Sequence, residues 1–448
     1  MATTFADDMP VRRWHRKAAA IGDGQPMVSD RVFRLLIVVM CMFGFRDMLT
    51  SSLRYYLSLV HLGALWFIPD MLAFVSFGYF AWHIAWRHRS PFAILLVCSF
   101  AFSMVVGMVF MGSDGFAIFS SAKLFMPIFV GASLPGRSVY DLKWARMILT
   151  GMFVTSTIGL LLEPHVTYPW LGQALDNFGQ TKNVGRVWWA GDGNIRYGGF
   201  AGESTMASYM TIVPYFIVHR QFSRLTNVLL WIPMYYAIIL STNKTALGVF
   251  VVFMLYYAMN NFIRPISIEQ KKKIARWSFA TIPMTIFMML LLGGVDLTSI
   301  SRSLFSLQDR ISNTWGFPFI WMSQNFPLGL FIGCGMGCFT YPMEYTPMSY
   351  LWVPVDNFYM STIAMMGLPF VVFILGMFTA PGKSRHHDKL LLMTVVNLYS
   401  VTVQGYGPST CAVFLAYAFS DMFLPRKPDW SRRFRRRDGT ARAVEQAG

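Results

Sequence analysis

Residues 91–112 read PFAILLVCSFAFSMVVGMVFMG, an apolar run without a charged side chain, and they follow the basic segment Arg87–Arg89. A run of about 20 apolar residues is long enough to cross a bilayer as a helix. Apolar runs alternate with loops along the whole chain, and every second loop is rich in Lys and Arg. This pattern is typical of a polytopic membrane protein whose positive loops lie in the cytoplasm.

The composition agrees with a membrane protein. The 448 residues are 55% hydrophobic and 13% charged, whereas soluble domains carry roughly 25% charged residues. We predict an all-α, polytopic integral membrane helix bundle with about 12 transmembrane helices, which leaves no room for a large soluble domain. The predicted spans lie at about 33–50, 64–86, 91–112, 115–134, 147–163, 199–219, 226–241, 244–262, 277–296, 354–379, 389–405 and 409–425.

The predicted topology places the chain in a bacterial inner membrane with both termini in the cytoplasm. A cytoplasmic tail covers 1–30, the transmembrane domain covers 31–425, and a basic cytoplasmic tail covers 426–448. Two long loops, at about 163–198 and 297–353, are predicted to be periplasmic. The first residues are polar and basic, so no cleavable signal peptide is expected.

The net charge of +16 does not indicate nucleic-acid binding. Most of the 38 Lys and Arg residues lie in alternate loops and in the tail, where RRFRRR (432–437) is best explained as an anchor to anionic lipid. Five cysteines are too few for a disulfide framework. We expect Cys334 and Cys338 to serve close packing, with a bridge between them as the alternative.

Two segments carry candidate ligand-binding residues at outward ends of spans. In RYGGFAGES (196–204), the Arg196 guanidinium carries N–H donors in a fixed geometry that matches phosphate oxygens. Glu203 is expected about one turn inside the span, where an unpaired carboxylate is costly; a structural Arg196–Glu203 pair is the alternative. Lys244, in a tight hairpin, either contacts a ligand or is a snorkelling interfacial lysine.

The second long loop contributes a further pair of cations. Arg302 and Arg310 share a face about two turns apart if the segment is helical, and they would then form a clamp for a diphosphate. The alternative is a solvated salt bridge, such as Asp309 with an arginine. Asp356 opens the next span and either caps that helix or takes a proton from a sugar hydroxyl.

Lys123 falls inside the fourth predicted span, and an intramembrane charge is a functional candidate by default. Its alternative role is a structural pair with Asp70 or Glu203. The chain contains no metal-ligand spacing, phosphate-cradling loop or nucleophile elbow, so we predict neither a metal nor a cofactor. Sugar stacking or an interfacial belt could each explain the outer tryptophans Trp188, Trp189, Trp315 and Trp321.

The order of these segments resembles the Wzy-type polysaccharide polymerase and O-antigen ligase superfamily. The resemblance covers roughly residues 190–375, together with the number of spans and the two large loops, and it is nearest to the exopolysaccharide branch that includes xanthan- and acetan-type polymerases. The motifs that carry it are Arg196-x-Gly-Gly-Phe, Ser241-x-x-Lys244-x-Ala, Arg310 with Trp315, Pro327-Leu-Gly329 with the Gly-x-Gly run, and Asp356-Asn357-Phe-Tyr359 with Gly367-Leu368.

The resemblance implies a metal-independent glycosyltransferase that polymerises undecaprenyl-diphosphate-linked oligosaccharide repeat units into exopolysaccharide at the periplasmic face. Arg196 and Arg310, assisted by Arg302 or Lys244, would hold the diphosphate. The candidate catalytic carboxylates are Glu203 and Asp356. A flippase and a chain-length regulator are the implied protein partners, alongside membrane lipids.

Two alternative functions remain open from the sequence. Ligases of the superfamily place a histidine before the asparagine of the last motif, whereas this chain has Asp356 there, which argues against a ligase. A transporter or flippase of polysaccharide precursors is the other alternative, motivated by the number of spans and by Lys123.

Overall fold

The computed structural model describes residues 27–177, 180–185, 188–189, 195–301, 304–353, 355–403 and 408–425. Over these residues the chain is mainly helical. Its few strands form two antiparallel ribbons in the first of the two long loops.

The helices that precede this loop form the first part of the bundle. They are α1 (Asp30–Met48), α2 (Thr50–Leu59), α3 (Ile68–Tyr79), α4 (Pro91–Met111), α5 (Gly115–Phe125), α6 (Pro127–Ala132) and α7 (Lys143–Leu162). The ribbons pair β1 (Ala174–Asn177) with β2 (Gln180–Asn183) and β3 (Trp188–Trp189) with β4 (Ile195–Arg196).

The rest of the chain is again helical. Its helices are α8 (Ser204–Val218), α9 (Arg224–Leu240), α10 (Lys244–Ala258), α11 (Ile268–Trp277), α12 (Thr281–Leu292), α13 (Phe305–Asp309), α14 (Phe317–Asn325), α15 (Gly329–Ile332), α16 (Phe358–Met366), α17 (Leu368–Lys383), α18 (His387–Tyr399) and α19 (Ser409–Phe419).

Six continuous helical segments in the described part of the chain are long and apolar enough to cross a membrane. Three shorter apolar helices accompany them: Arg224–Leu240, Leu368–Lys383 and Ser409–Phe423. The prediction of a helical membrane protein is confirmed at this level, while about 12 spans remain a prediction. The six segments are Gly63–Arg87, Pro91–Met111, Gly115–Ala132, Lys143–Leu162, Lys244–Ile263 and Ile268–Leu292.

Apolar side chains cover the outside of the bundle as well as its core. Val109 on α4 is 82% exposed and Leu290 on α12 is 79% exposed. An extended apolar surface of this kind indicates contact with a membrane or with a partner protein. In the core, every residue of α8 except Thr205 is buried, so α8 is a central helix.

Small residues allow the closest helix contacts. A Cβ at Gly131 in α6 would come within 2.1 Å of the Val413 carbonyl oxygen in α19. Only glycine fits at such a crossing, because the two backbones are already in contact. The α6–α19 crossing therefore depends on this residue.

The predicted span 354–379 is not one helix. Helix α16 ends at Gly367, which has a φ of 64° and is followed directly by α17. A Cβ there would lie 2.2 Å from the Phe331 carbonyl oxygen, so the second long loop packs into the break. The cause is tertiary: the Cys334 amide donates to the Ala364 carbonyl at 2.8 Å.

The segment between the predicted spans 244–262 and 277–296 is not a loop throughout. Helix α11 begins at Ile268, and the helical segment continues to Leu292. A reciprocal capping box starts it: the Ser267 hydroxyl accepts from the Gln270 amide, and the Gln270 side chain accepts from the Ser267 amide. The lysines of this segment therefore lie on a helix.

Cys334 and Cys338 form a disulfide in the structure, with Cα atoms 6.0 Å apart. The expectation that they only pack closely was wrong. Gly333, Gly335 and Gly337 all have positive φ, which lets the backbone curl and brings two cysteines four positions apart into bonding range.

Candidate functional site

Four helix ends meet on one side of the bundle, where α8, α10 and α16 begin and α18 ends. The Asn243 amide nitrogen Nδ2 lies 2.9 Å from the Ser208 hydroxyl and 3.2 Å from the Tyr399 hydroxyl. The Phe358 amide donates to the Ser400 carbonyl at 3.0 Å. These bonds fasten together segments that are far apart in the sequence.

An ion pair between Arg310 and Asp356 lies at this junction. Arg310 Nη2 is 3.4 Å from Asp356 Oδ2, and Nη1 donates to the Ser306 hydroxyl at 2.9 Å. In the described part of the chain Asp309 forms no ion pair with Arg310, and its Oδ1 accepts from Asn313 at 2.9 Å. Asp356 is 44% exposed and Arg310 is 24% exposed, so the pair remains accessible to a ligand.

Asp356 does not cap the helix that follows it. Asn357 is the cap, and its side chain accepts from the Met360 amide at 3.0 Å. The same side chain donates to the Val401 carbonyl at 3.0 Å. Since Asn357 satisfies the helix end, the Asp356 carboxylate is left for Arg310.

Glu203 lies nearer the start of its helix than the sequence predicted. It is the residue directly before α8, not one turn inside it. Arg196 lies on β4, in register with Trp188, and does not form an ion pair with Glu203. The alternative structural Arg196–Glu203 pair is therefore absent from the contacts of the described residues. Both residues nevertheless interact electrostatically with Asp356: the Arg196 charge opposes the rise in the pKa of Asp356, and the Asp356 charge raises the pKa of Glu203.

Glu163 holds the turn between these two residues, and sequence reasoning missed it. Its Oε2 accepts from the backbone amides of Gly198 at 2.8 Å and Gly199 at 2.6 Å. A carboxylate that accepts two amide hydrogens fixes the loop firmly. The position directly after an apolar run was the available signal, since a carboxylate at that depth requires a partner.

Burial shifts the titration of the two candidate carboxylates. It raises the pKa of Glu203 to about 7, and the negative charges of Asp356 and Asp47 add to the effect. Burial also raises the pKa of Asp356, although the nearby Arg310 and Arg196 charges oppose the shift. A carboxyl group with a pKa near neutrality can take up and release a proton under ordinary conditions.

Two predicted phosphate ligands are less well defined. Lys244 is exposed at the first position of α10, next to Asn243 and hence at the same junction. Arg302 lies outside the described residues, so the predicted clamp of Arg302 with Arg310 stays a prediction. Arg310 begins a short π-helical turn, Arg310–Thr314.

A buried charge cluster borders the junction, and the sequence revealed only part of it. Arg46 Nη1 lies 2.9 Å from Asp70 Oδ1, and its Nε lies 3.2 Å from Asp47 Oδ1. Lys123 Nζ lies 3.3 Å from Asp70 Oδ2, which is the structural pair anticipated as its alternative role. Asp47 also accepts from the Thr410 amide at 2.7 Å.

Trp315 cannot stack on a sugar, because it is fully buried with 0% exposure. Trp321 packs against the rings of Phe110 and Phe339. The described residues include no group of three His, Cys, Asp or Glu side chains able to hold a metal ion. No protein-family model, curated protein or solved structure matched this chain.

Proposed function

We propose that this protein is an integral membrane glycosyltransferase that polymerises lipid-diphosphate-linked oligosaccharide repeat units at the outer face of the bacterial inner membrane. The observation that carries the proposal is the convergence of Arg310, Asp356, Arg196 and Glu203 at one end of a helix bundle. These groups come from different parts of the chain and supply the two functions that the reaction requires, a positive site for the leaving diphosphate and a proton acceptor.

The proposed reaction is a displacement at the anomeric carbon of the growing chain. A hydroxyl oxygen of the incoming repeat unit forms a bond to that carbon, and the bond to the diphosphate oxygen breaks. The electron pair of the broken bond leaves with the lipid diphosphate, and the hydroxyl proton passes to a carboxylate. Charge that develops on the diphosphate is stabilised by preorganised guanidinium groups.

The residues divide between these two tasks. Arg310 and Arg196, with exposed Lys244 nearby, face the diphosphate, and Asp356 fixes the Arg310 fork. Glu203 accepts the proton, because its pKa of about 7 suits an acceptor near neutral pH. Asp356 is the second candidate acceptor.

Two observations support an outward orientation for this junction. The disulfide Cys334–Cys338 lies in the second long loop, and such bonds persist in oxidising compartments such as the periplasm. The opposite ends of α8, α10 and α18 are followed or preceded by basic residues, including Arg220 and Lys271, as expected for the cytoplasmic side.

No observation favours the ligase or transporter alternatives. The transporter alternative drew on an intramembrane Lys123, and the pair with Asp70 gives that lysine a structural role.

The test is incubation of purified protein with its lipid-linked repeat unit, followed by a gel that resolves a ladder of polymer lengths. We expect a ladder with wild-type protein, and single repeats with Arg310→Ala. The matched control is Arg264→Ala, an exposed arginine in the segment before α11, which should retain the ladder. A normal ladder from Arg310→Ala would refute its role, and transport without any bond formation would refute the proposed function.

A further inference from the structure

A polar cavity lies at the far ends of α8, α10 and α18, three of the helices that form the candidate site. Helix α8 begins at that site and ends next to the cavity, and its 15 residues separate the two by roughly 22 Å. The cavity holds about 200 Å³, room for roughly six water molecules. Among the side chains that line it are His219, Arg220, Arg224, Lys271, His387 and Asp388.

The cations of this cavity have no carboxylate partner in the described part of the chain. Lys271 Nζ lies 3.4 Å from His387 Nδ1, and the Arg220 guanidinium lies 5.4 Å from the Tyr140 ring. Asp388 is buried, and its Oδ2 accepts from the Tyr417 hydroxyl at 2.6 Å. The one carboxylate that lines the cavity therefore hydrogen-bonds Tyr417 and forms no ion pair with these cations in the described residues.

Other cations nearby do find carboxylates. Lys272, directly after Lys271, lies 2.8 Å from Glu269. Lys389 is completely buried and lies 2.6 Å from Asp421. A basic end of a membrane protein is expected for topology alone, but topology does not require like charges to gather around one cavity.

Three cations and one carboxylate line the cavity, so its net charge is positive. The pKa of His219 falls to about 4, first because the ring is buried and then because the Arg220 and Lys271 charges repel a further proton. Like charges around one cavity repel one another, and an anion bound between them relieves that repulsion. The arrangement is one that a bound anion would stabilise.

We propose that this cavity binds a phosphoryl group, carried either by an anionic lipid or by a soluble phosphate compound. Guanidinium groups match the oxygen geometry of phosphate, and Lys271 adds a point charge. Basic pockets between membrane helices on the cytoplasmic side are suited to phospholipid head groups. This site is separate from the proposed polymerase site and does not depend on it.

The experiment measures binding to the full-length purified protein by native mass spectrometry in a neutral detergent. The probes are phosphatidylglycerol, inorganic phosphate and, as the zwitterionic comparison, phosphatidylcholine. The test variant is Arg220→Gln with Lys271→Gln. The control variant is Arg264→Gln with Lys273→Gln, which removes the same charge from exposed positions of the neighbouring segment that do not line the cavity.

We expect the wild-type and control proteins to bind phosphatidylglycerol with equal affinity, and the test variant to bind at least about tenfold more weakly, the loss expected from removing a charge-assisted contact. Competition by inorganic phosphate would identify a soluble phosphate as the ligand, and its failure to compete would identify a lipid head group. Equal binding by the test and control variants would overturn the proposal.

Two further variants guard against misfolding. Lys271→Arg keeps the charge and should keep the binding. If the double variant does not fold, the single changes Lys271→Gln and Lys273→Gln decide the question, since they lie on one helix and remove the same charge. Equal affinity of those two single variants would also reject the site.

Discussion

The two ends of α8, α10 and α18 use charge in opposite ways. At the end that carries Glu203, the Arg310 guanidinium is paired with Asp356 at 3.4 Å. At the other end, Arg220 and Lys271 border a cavity and have no carboxylate partner among the described residues. The same helices therefore separate a fixed, paired site from a positive, unpaired one.

The difference shows what pairing does to a cation. A guanidinium with a carboxylate partner is held in one orientation, which suits a site where charge develops during a reaction. An unpaired cation stays available to a bound anion and adds no stabilising ion pair to the folded protein. Four measurements test this comparison, ordered from the largest expected effect to the smallest.

The largest effect is expected at the paired end, from Glu203→Gln. Removal of a general base costs about 10²–10⁴ in rate. Wild-type activity should fall as the pH drops below about 7, because Glu203 becomes protonated there and can no longer accept a proton. The variant should lose this dependence, and the ladder assay across a pH series measures both effects.

The control for this change is Glu269→Gln, an exposed carboxylate on α11, which should keep the wild-type profile. An unchanged profile in Glu203→Gln would remove that residue from the reaction.

The next largest effect concerns stability at the basic end. Lys389→Ala leaves the buried Asp421 carboxylate without its cation, with only the Gly136 amide still donating to it, which should cost about 3–5 kcal/mol of unfolding free energy. Thermal unfolding in detergent measures the loss. The double variant Lys389→Ala with Asp421→Ala should be less destabilised than the single variant, and an additive loss would show that the two residues are not coupled.

A smaller effect is expected when Asp356 becomes Asn. Arg310 stays in place but loses one charged partner, so kcat should fall about tenfold, in line with about 1.5 kcal/mol for such a hydrogen bond. The control is Asp309→Asn, whose carboxylate contacts Asn313 instead. A loss larger than that of Glu203→Gln would make Asp356 the proton acceptor.

The smallest effect is expected from Lys271→Gln in unliganded protein. An unpaired cation makes no stabilising ion pair, so the unfolding free energy should change by no more than about 0.5 kcal/mol. Thermal unfolding beside Lys389→Ala provides the comparison. If Lys271→Gln lost as much unfolding free energy as Lys389→Ala, Lys271 would have a structural partner. The distinction between paired and unpaired cations would then be wrong.

In the sequence, Arg310 and Asp356 are separate candidates, because they lie 46 positions apart and nothing local shows that they meet. Asp356 was a possible helix cap, because a short polar residue before a helix gives the same pattern whether or not it caps. The structure assigns the cap to Asn357, one position later. The position of Glu163 after an apolar run indicates that it needs a partner, but its partners are the backbone amides of Gly198 and Gly199, which side-chain patterns cannot identify.

The break in the predicted span 354–379 has a similar origin. Gly367 sits inside a continuous apolar stretch, and hydropathy is insensitive to a single glycine. The break is set by the approach of the Phe331 carbonyl from a distant loop. The disulfide Cys334–Cys338 likewise follows from the local backbone curl and not from cysteine spacing.

The sequence by itself determined that this chain is helical and apolar enough for a membrane, because uncharged runs and clustered cations are local properties of the chain. Only the tertiary structure decided which charges are paired. Pairing depends on distances of a few ångströms between side chains on different helices, and Coulomb energy falls with distance and with solvent exposure. The fold brings Arg310 to Asp356 and Lys123 to Asp70. Lys271 has no carboxylate partner among the residues described.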